Sequence, residues 1–266
     1  MLKQRVITAL IVGAVALALI FFAPRWLFTA TMLGLLVMAA WEWSALAGSP
    51  DRNSRLMLAV VFGLLALAAG WLQGREPRAL LIYSVAALAW WAVSLVWIAS
   101  WRAGFSRPVK ILCGLLTLLP SLAAVVAIRG WSPWYLLVLL LVTSGADIGA
   151  YFAGRAFGRH KLAPQVSPGK TWEGVAGGVA MVILVAAICD HWLELPVLPF
   201  IALCVCVALL SVVGDLSESL FKRQAGLKDS GNVFPGHGGV LDRVDSITAA
   251  APLYWLGMSW LLGGLS

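Results

Sequence analysis

Residues 215–245 set five carboxylates, Asp215, Glu218, Asp229, Asp242 and Asp245, among Lys222, Arg223, Lys228, Arg243 and His237. If the run Gly214-Asp215-Leu216-Ser217-Glu218-Ser219-Leu220-Phe221-Lys222-Arg223 is helical, Asp215, Ser219 and Lys222 fall at i, i+4 and i+7. One helix face then carries a carboxylate, a hydroxyl and an ammonium group in line. A glycine-rich stretch, residues 231–239, follows, and its Pro235-Gly236-His237-Gly238-Gly239 backbone can approach a ligand closely. It leads into Asp242 and Asp245, three residues apart and on one face near a helix start. Hard carboxylate oxygens suit Mg²⁺, which keeps some of its waters and bridges substrate phosphates. The interspersed cations neutralise what phosphate charge remains. In phosphoryl or nucleotidyl transfer a protein mainly positions groups and stabilises charge, so no nucleophile–base triad is needed.

Two further polar clusters lie upstream. Asp147 stands inside an apolar helix, in Ser144-Gly145-Ala146-Asp147-Ile148-Gly149-Ala150-Tyr151, where small residues let a neighbouring helix come close. It reads as an ion or substrate ligand, against the plainer reading of a buried acid paired with one cation. Residues 155–174 form a basic loop containing Ser167-Pro168-Gly169-Lys170-Thr171-Trp172-Glu173-Gly174. Lys170 and Thr171 supply a compact cation and a hydroxyl for phosphate oxygens. Gly169-Lys170-Thr171 is no P-loop, because Pro164 occupies the place of that motif's first glycine and no strand precedes it. Arg155, Arg159, His160 and Lys161 read as ordinary loop residues.

The elements that must hold these residues are membrane helices. The chain has 266 residues, 61% hydrophobic and 12% charged, where a soluble domain carries about 25% charged residues. About 20 apolar residues span the hydrocarbon core as a helix. Nine spans are predicted, at residues 6–22, 27–46, 56–72, 79–100, 111–128, 135–154, 174–189, 197–213 and 246–264. The first resembles a signal peptide in outline, but no clear small-residue cleavage site follows, so it reads as a retained span. Pro120 lies inside the fifth. With the N-terminus on one side, that side receives all but four of the 19 Lys and Arg; Arg25, Arg75, Arg78 and Arg129 fall opposite. The bias makes the first side cytoplasmic, with the N-terminus in and the C-terminus out. It also accounts for the net charge of +7 without nucleic acid as a partner. Trp26, Trp41, Trp43, Trp71, Trp101, Trp131 and Trp134 lie near span ends, as an interfacial belt would place them. The four cysteines read as small core residues. The reading is an all-α polytopic membrane protein of one domain, residues 1–266. Residues 1–134 carry spans one to five, and residues 135–266 carry the chemistry.

The motif residues resemble a known family. Ser219-x-Phe221-Lys222-Arg223, four residues, Lys228-Asp229, then Gly231, Phe234-Pro235, His237-Gly238-Gly239, Asp242-Arg243 and Asp245 look like the signature of the phosphatidate cytidylyltransferases, or CDP-diacylglycerol synthases. The Ser167–Gly174 block and the Asp147–Tyr151 run resemble two further motifs of that family, with Gly169 in place of its usual lysine. The resemblance is strong over residues 140–250; residues before it match only in being apolar spans. It implies an integral enzyme of the bacterial inner membrane, its active site facing the cytoplasm, that joins CTP to phosphatidate and releases pyrophosphate. It further implies Mg²⁺, a monovalent cation such as K⁺ beside it, and homodimers. Asp215 and Asp242 correspond to the family's metal ligands, with Asp147 and Asp245 as further acids of the site. Ser219, Lys170, Thr171, Lys222, Arg223, Lys228, His237 and Arg243 are expected around the phosphates.

Three rival activities leave different marks. The CDP-alcohol phosphotransferases carry an Asp-Gly-x-x-Ala-Arg hallmark that this sequence lacks. A lipid kinase drawing phosphate from CTP needs similar contacts and differs in its products. A secondary transporter puts its charges near the midplane of paired repeats, whereas here they crowd one aqueous side and no repeat is visible.

Overall fold

In lipid each backbone N–H and C=O must be satisfied within its own segment, so long apolar runs become helices. The computed structural model describes residues 2–49, 51–76, 78–100, 104–231, 233 and 238–263, with side chains from Leu10 onward. Its helices are α1 (Leu2–Phe22), α2 (Arg25–Leu46), α3 (Arg52–Arg75), α4 (Ala79–Ala99), α5 (Arg107–Trp131), α6 (Pro133–Phe157), α7 (Trp172–Leu193), α8 (Val197–Gln224) and α9 (Leu241–Leu261). By length and composition α2 to α8 are seven helices able to cross a membrane. The protein is thus an all-α polytopic membrane protein in its architecture. The described apolar part of α1 is Leu10–Phe22. Helix α9 opens on the charged run Asp242-Arg243-Val244-Asp245.

Local chemistry sets several boundaries. Pro24, extended at φ −62° and ψ 155°, separates α1 from α2. Asp51 caps α3 by accepting the Ser54 N–H at 2.8 Å, and that bond holds its carboxyl below the usual range. Helix α5 runs on through Pro120. One short sheet interrupts the helices: β1 (Lys161–Ala163) and β2 (Ser167–Thr171) pair antiparallel. The loop expected over residues 155–174 is therefore partly a hairpin.

Helices α6 and α7 pack through small residues. A Cβ on Gly177 would stand 2.1 Å from Ala153 Cβ, and one on Gly149 2.6 Å from the Gly177 carbonyl oxygen. Backbones this close leave no room for a side chain. Gly177→Val is expected to destabilise the protein by about 1–3 kcal/mol or more through overpacking. A fall in thermal unfolding temperature in detergent, matched by reduced recovery of folded protein, is the result that checks it.

A second core lies beneath the polar end of the bundle and is aromatic: Trp43 contacts Phe221 at 5.1 Å between centroids, and Trp90 packs on Trp91 and Trp97. This corrects the interfacial reading of Trp43. It is 2% exposed, donates its indole N–H to the Lys110 carbonyl at 2.8 Å and sits in a slot left open by Gly114. The ring is consumed in joining α2 to α5 and α8. Trp26, Trp71, Trp131 and Trp134 are exposed, as a belt requires, while Trp101 lies outside the described residues. Cys113, Cys189 and Cys204 are buried and Cys206 is exposed; all four are free thiols.

Candidate active site

Helix α8 carries the predicted polar face. Ser219 donates to Asp215 Oδ1 at 3.4 Å, one turn away. Lys222 continues the face but reaches sideways, to Glu218 Oε1 at 3.1 Å and to Asp242 Oδ1 at 2.7 Å. Glu218 is buried, and the lysine is its counter-charge. The adjacent face of α8 is apolar: Leu216 and Leu220 pack with Ala163, Val166 and Ile98. That contact docks the β1–β2 hairpin on α8 and delivers Lys170 from β2 to Asp215, with Nζ 2.6 Å from Oδ2.

Helix α9 approaches α8 at Gly214, where a Cβ would lie 2.5 Å from the Asp245 carbonyl oxygen. Its first turn places Asp242 under the glycine-rich stretch. The Asp242 carboxylate accepts Lys222 Nζ, the Ser230 N–H at 3.0 Å and the Gly239 N–H at 2.8 Å. Gly238 has φ +82°, and a Cβ there would come within 2.5 Å of Asp242 Oδ2. Only glycine meets both demands without strain. Asp245, one turn on, accepts the Ser246 N–H at 2.7 Å.

An acid absent from the sequence reading ties the loop down. Glu42, buried in α2, accepts the Val240 N–H at 2.9 Å, the Leu241 N–H at 2.8 Å and the Ser230 hydroxyl at 3.1 Å. The first two are unpaired donors at the start of α9, where an anion also meets the positive end of the helix. Cβ atoms on Gly231 or Gly239 would each fall 2.4 Å from Glu42 Oε1, so these glycines make the approach possible. A signal was available: Glu42 is the one acid inside the first five predicted spans. An ionisable residue at membrane depth is a functional candidate by default.

The remaining candidates separate into two groups. Asp147 is exposed on α6 and feels the charges of Asp215 and Lys170; Asp245 feels those of Asp215, Lys222 and Lys170. These acids therefore belong to the same centre. Arg223, Lys228 and Arg243 are exposed and make no ion pair among the described residues. Thr171 is buried and caps α7, its hydroxyl accepting the Gly174 N–H at 3.1 Å. His237 lies outside the described residues. Glu173 accepts the backbone N–H of Arg159 and His160 and so fixes the entry to the hairpin.

The donor set suits a divalent cation. Among the described residues, Asp147, Asp215, Glu218, Asp242 and Asp245 interact with one another and with two amines, Lys170 and Lys222. This excess of carboxylate would repel a polyphosphate unless a cation intervened. Among the described residues no three acids or histidines are drawn together as a ready-made cage. Mg²⁺ does not ask for one, since it binds through one or two carboxylates, water and substrate phosphate. Asp215 would be the most available ligand, because its partner Lys170 is partly exposed. Asp242 would become one only if Lys222 moved off it.

Comparison with known proteins identifies the family. The sequence profile of the cytidylyltransferase family matches residues 3–261. The phosphatidate cytidylyltransferase of Pseudomonas aeruginosa is 41% identical over 99% of this chain and 98% of its own. That of Haemophilus influenzae is 36% identical over 96% and 97%, respectively. The Bacillus subtilis protein of the same name reaches 45% identity over 126 residues, 46% of each chain. Two carboxylate–lysine pairs at the polar end of a helical bundle, and a family match spanning nearly its whole length, lead to one statement: the chain belongs to the cytidylyltransferase family.

Proposed function

We propose that this chain transfers the cytidylyl group of CTP to phosphatidate, giving CDP-diacylglycerol and pyrophosphate for phospholipid synthesis. The observation that carries the reading is the meeting of Lys170–Asp215 and Lys222–Asp242 at one end of membrane-crossing helices. Such a site receives a water-soluble nucleotide and a lipid phosphate at the same surface.

An oxygen of the phosphatidate phosphate attacks the α-phosphorus of CTP, and the bond to pyrophosphate breaks. The attacking oxygen is already anionic, so no side chain has to remove a proton. Lys170 and Lys222 exchange a carboxylate for phosphate oxygens as substrates bind, which frees Asp215 and Asp242. Arg223, Lys228 and Arg243 rim the entrance and attract the triphosphate. Asp215, Asp242 and Asp147 would hold Mg²⁺, which would neutralise phosphate charge, and the same acidic centre would accommodate a monovalent cation. Asp245 balances Lys170 and Lys222 from below. Purified protein given CTP, phosphatidate and Mg²⁺ is expected to form CDP-diacylglycerol and pyrophosphate in equal amounts, and chelation should stop it. CDP with a newly phosphorylated lipid would instead make the chain a CTP-dependent lipid kinase.

The site faces the cytoplasm in this reading, with nine spans, the N-terminus inside and the C-terminus outside. The segregation of Lys and Arg supports it. A reporter fused after Ser266 should read as periplasmic; a cytoplasmic signal would rule out an odd number of spans.

A further inference from the structure

An apolar groove of about 440 Å³ lies between α1, α2, α5, α6 and α9, and no charged residue lines it. Its walls include Ala16, Phe28, Leu35, Val125, Leu140 and Val244. Three hydroxyls also line it, and all are spent on their own helices: Thr31 on the Leu27 carbonyl, Ser121 on Leu118, Thr248 on Asp245. The surface offered is therefore hydrocarbon.

One end of the groove borders the residues that hold the glycine-rich stretch. Its upper end is formed by Val240 and Val244, which flank Asp242, and by Ala39, three residues before Glu42 in α2. The N–H of Val240 is the one that Glu42 accepts. From Ala39 down to Phe28 along α2 is about 16 Å at 1.5 Å per residue. One leaflet of the hydrocarbon core is about 15 Å deep. The groove is thus about as long as an acyl chain that spans one leaflet; it starts near Glu42 and, at Phe28 and Leu136, ends about one turn from the far ends of α2 and α6.

We propose that this groove holds an acyl chain of the phosphatidate substrate. The inference rests on the phosphatidate-dependent reaction proposed above. It gives the N-terminal helices a share in substrate binding: α1, α2 and α5 form most of the walls, and the phosphate reaches the lysines over the first turn of α9.

Two measurements test it. Phosphatidate carrying a photoreactive diazirine midway along one chain is expected to label groove residues of α1, α2 or α5 in the wild-type protein. Unmodified phosphatidate should compete and phosphatidylcholine should not. Labels elsewhere, or equal competition by phosphatidylcholine, would overturn the proposal. Thr31→Trp and Val125→Trp fill the groove far from the charged groups. Each is expected to lower kcat/KM for dioleoyl phosphatidate by at least about tenfold, the scale at which one methylene is discriminated in an apolar pocket. Activity on dihexanoyl phosphatidate should stay within about twofold, and the KM for CTP should not move. Equal loss on both lipids, or none on either, counts against the groove. Should a variant fail to fold, the labelling of the wild-type protein decides. If the wild type makes no CDP-diacylglycerol from either lipid, the reaction falls, while the labels still decide whether the groove takes phosphatidate.

Discussion

Asp242→Asn is expected to cut CDP-diacylglycerol synthesis by about 10³-fold, leaving a folded protein in the membrane. The two Asp242 oxygens serve three donors at once: Lys222 Nζ and the Ser230 and Gly239 N–H groups. Asparagine keeps one acceptor oxygen and turns an NH₂ group towards donors that it can only repel. Each donor left unsatisfied in a half-buried place costs about 1–3 kcal/mol. The glycine-rich stretch then loses its anchor on α9, and Lys222 is left with Glu218 alone. Loss of a single preorganised charge-stabilising group already lowers turnover by about 10²–10³-fold; here the anchor, the lysine and the proposed metal ligand are disturbed together. Label transfer from CTP at saturating substrate measures the effect, and size-exclusion chromatography in detergent reports folding. Turnover within tenfold of wild type would remove Asp242 from the centre. Lys222→Met should show a comparable loss by the reciprocal route, since it strands Glu218, a buried carboxylate, without its counter-charge.

Much of this could be read from residue order, and what could not has a physical cause. Apolar runs of about 20 residues leave the chain one economical structure in lipid, so the helix ends lie within about five residues of the predicted spans, except that α8 runs on to Gln224, well past the predicted end at residue 213. The Asp215, Ser219 and Lys222 face was legible because helical periodicity is local. The partners of that face were not. Lys222 meets Asp242 twenty residues later only because of how the glycine-rich stretch folds back. The β1–β2 hairpin was hidden by mixed polar composition and short strands, which give no alternation to detect. Thr171 shows two signals in competition. A hydroxyl next to Lys170 suggests phosphate, yet a threonine directly before an apolar run is also an N-cap, and the cap is what the fold uses. Trp43 looked like a belt residue because position near a span end says nothing about which way a ring points.

Glu42 is where local reading had least purchase, and the second large effect is expected there. Its contacts lie 188, 198 and 199 residues away in sequence, so no spacing rule connects them. Glu42→Gln preserves shape and removes the charge. One end of the amide becomes a donor facing the Val240 or Leu241 N–H, and the anion at the head of α9 is lost. Activity is expected to fall by about 30–100-fold, the equivalent of about 2–3 kcal/mol for a strained loop. Glu42 touches no substrate in this arrangement; it positions the strand of chain on which Ser230, Gly239 and Asp242 depend. The loss should therefore appear in kcat, with the thermal unfolding temperature shifted by only a few degrees, because the buried contact area of α2 is unchanged. Hydrogen exchange provides the readout that a general loss of stability would not produce. The amides of Val240 and Leu241 should exchange faster in the variant while those in the middle of α2 and α9 keep their protection. Ser230→Ala, which removes one of the three contacts and leaves the charge in place, should cost no more than about tenfold. If Glu42→Gln retained full turnover with unchanged exchange at Val240 and Leu241, the α2 carboxylate would be a packing feature. The glycine-rich stretch would then owe its shape to Asp242 alone.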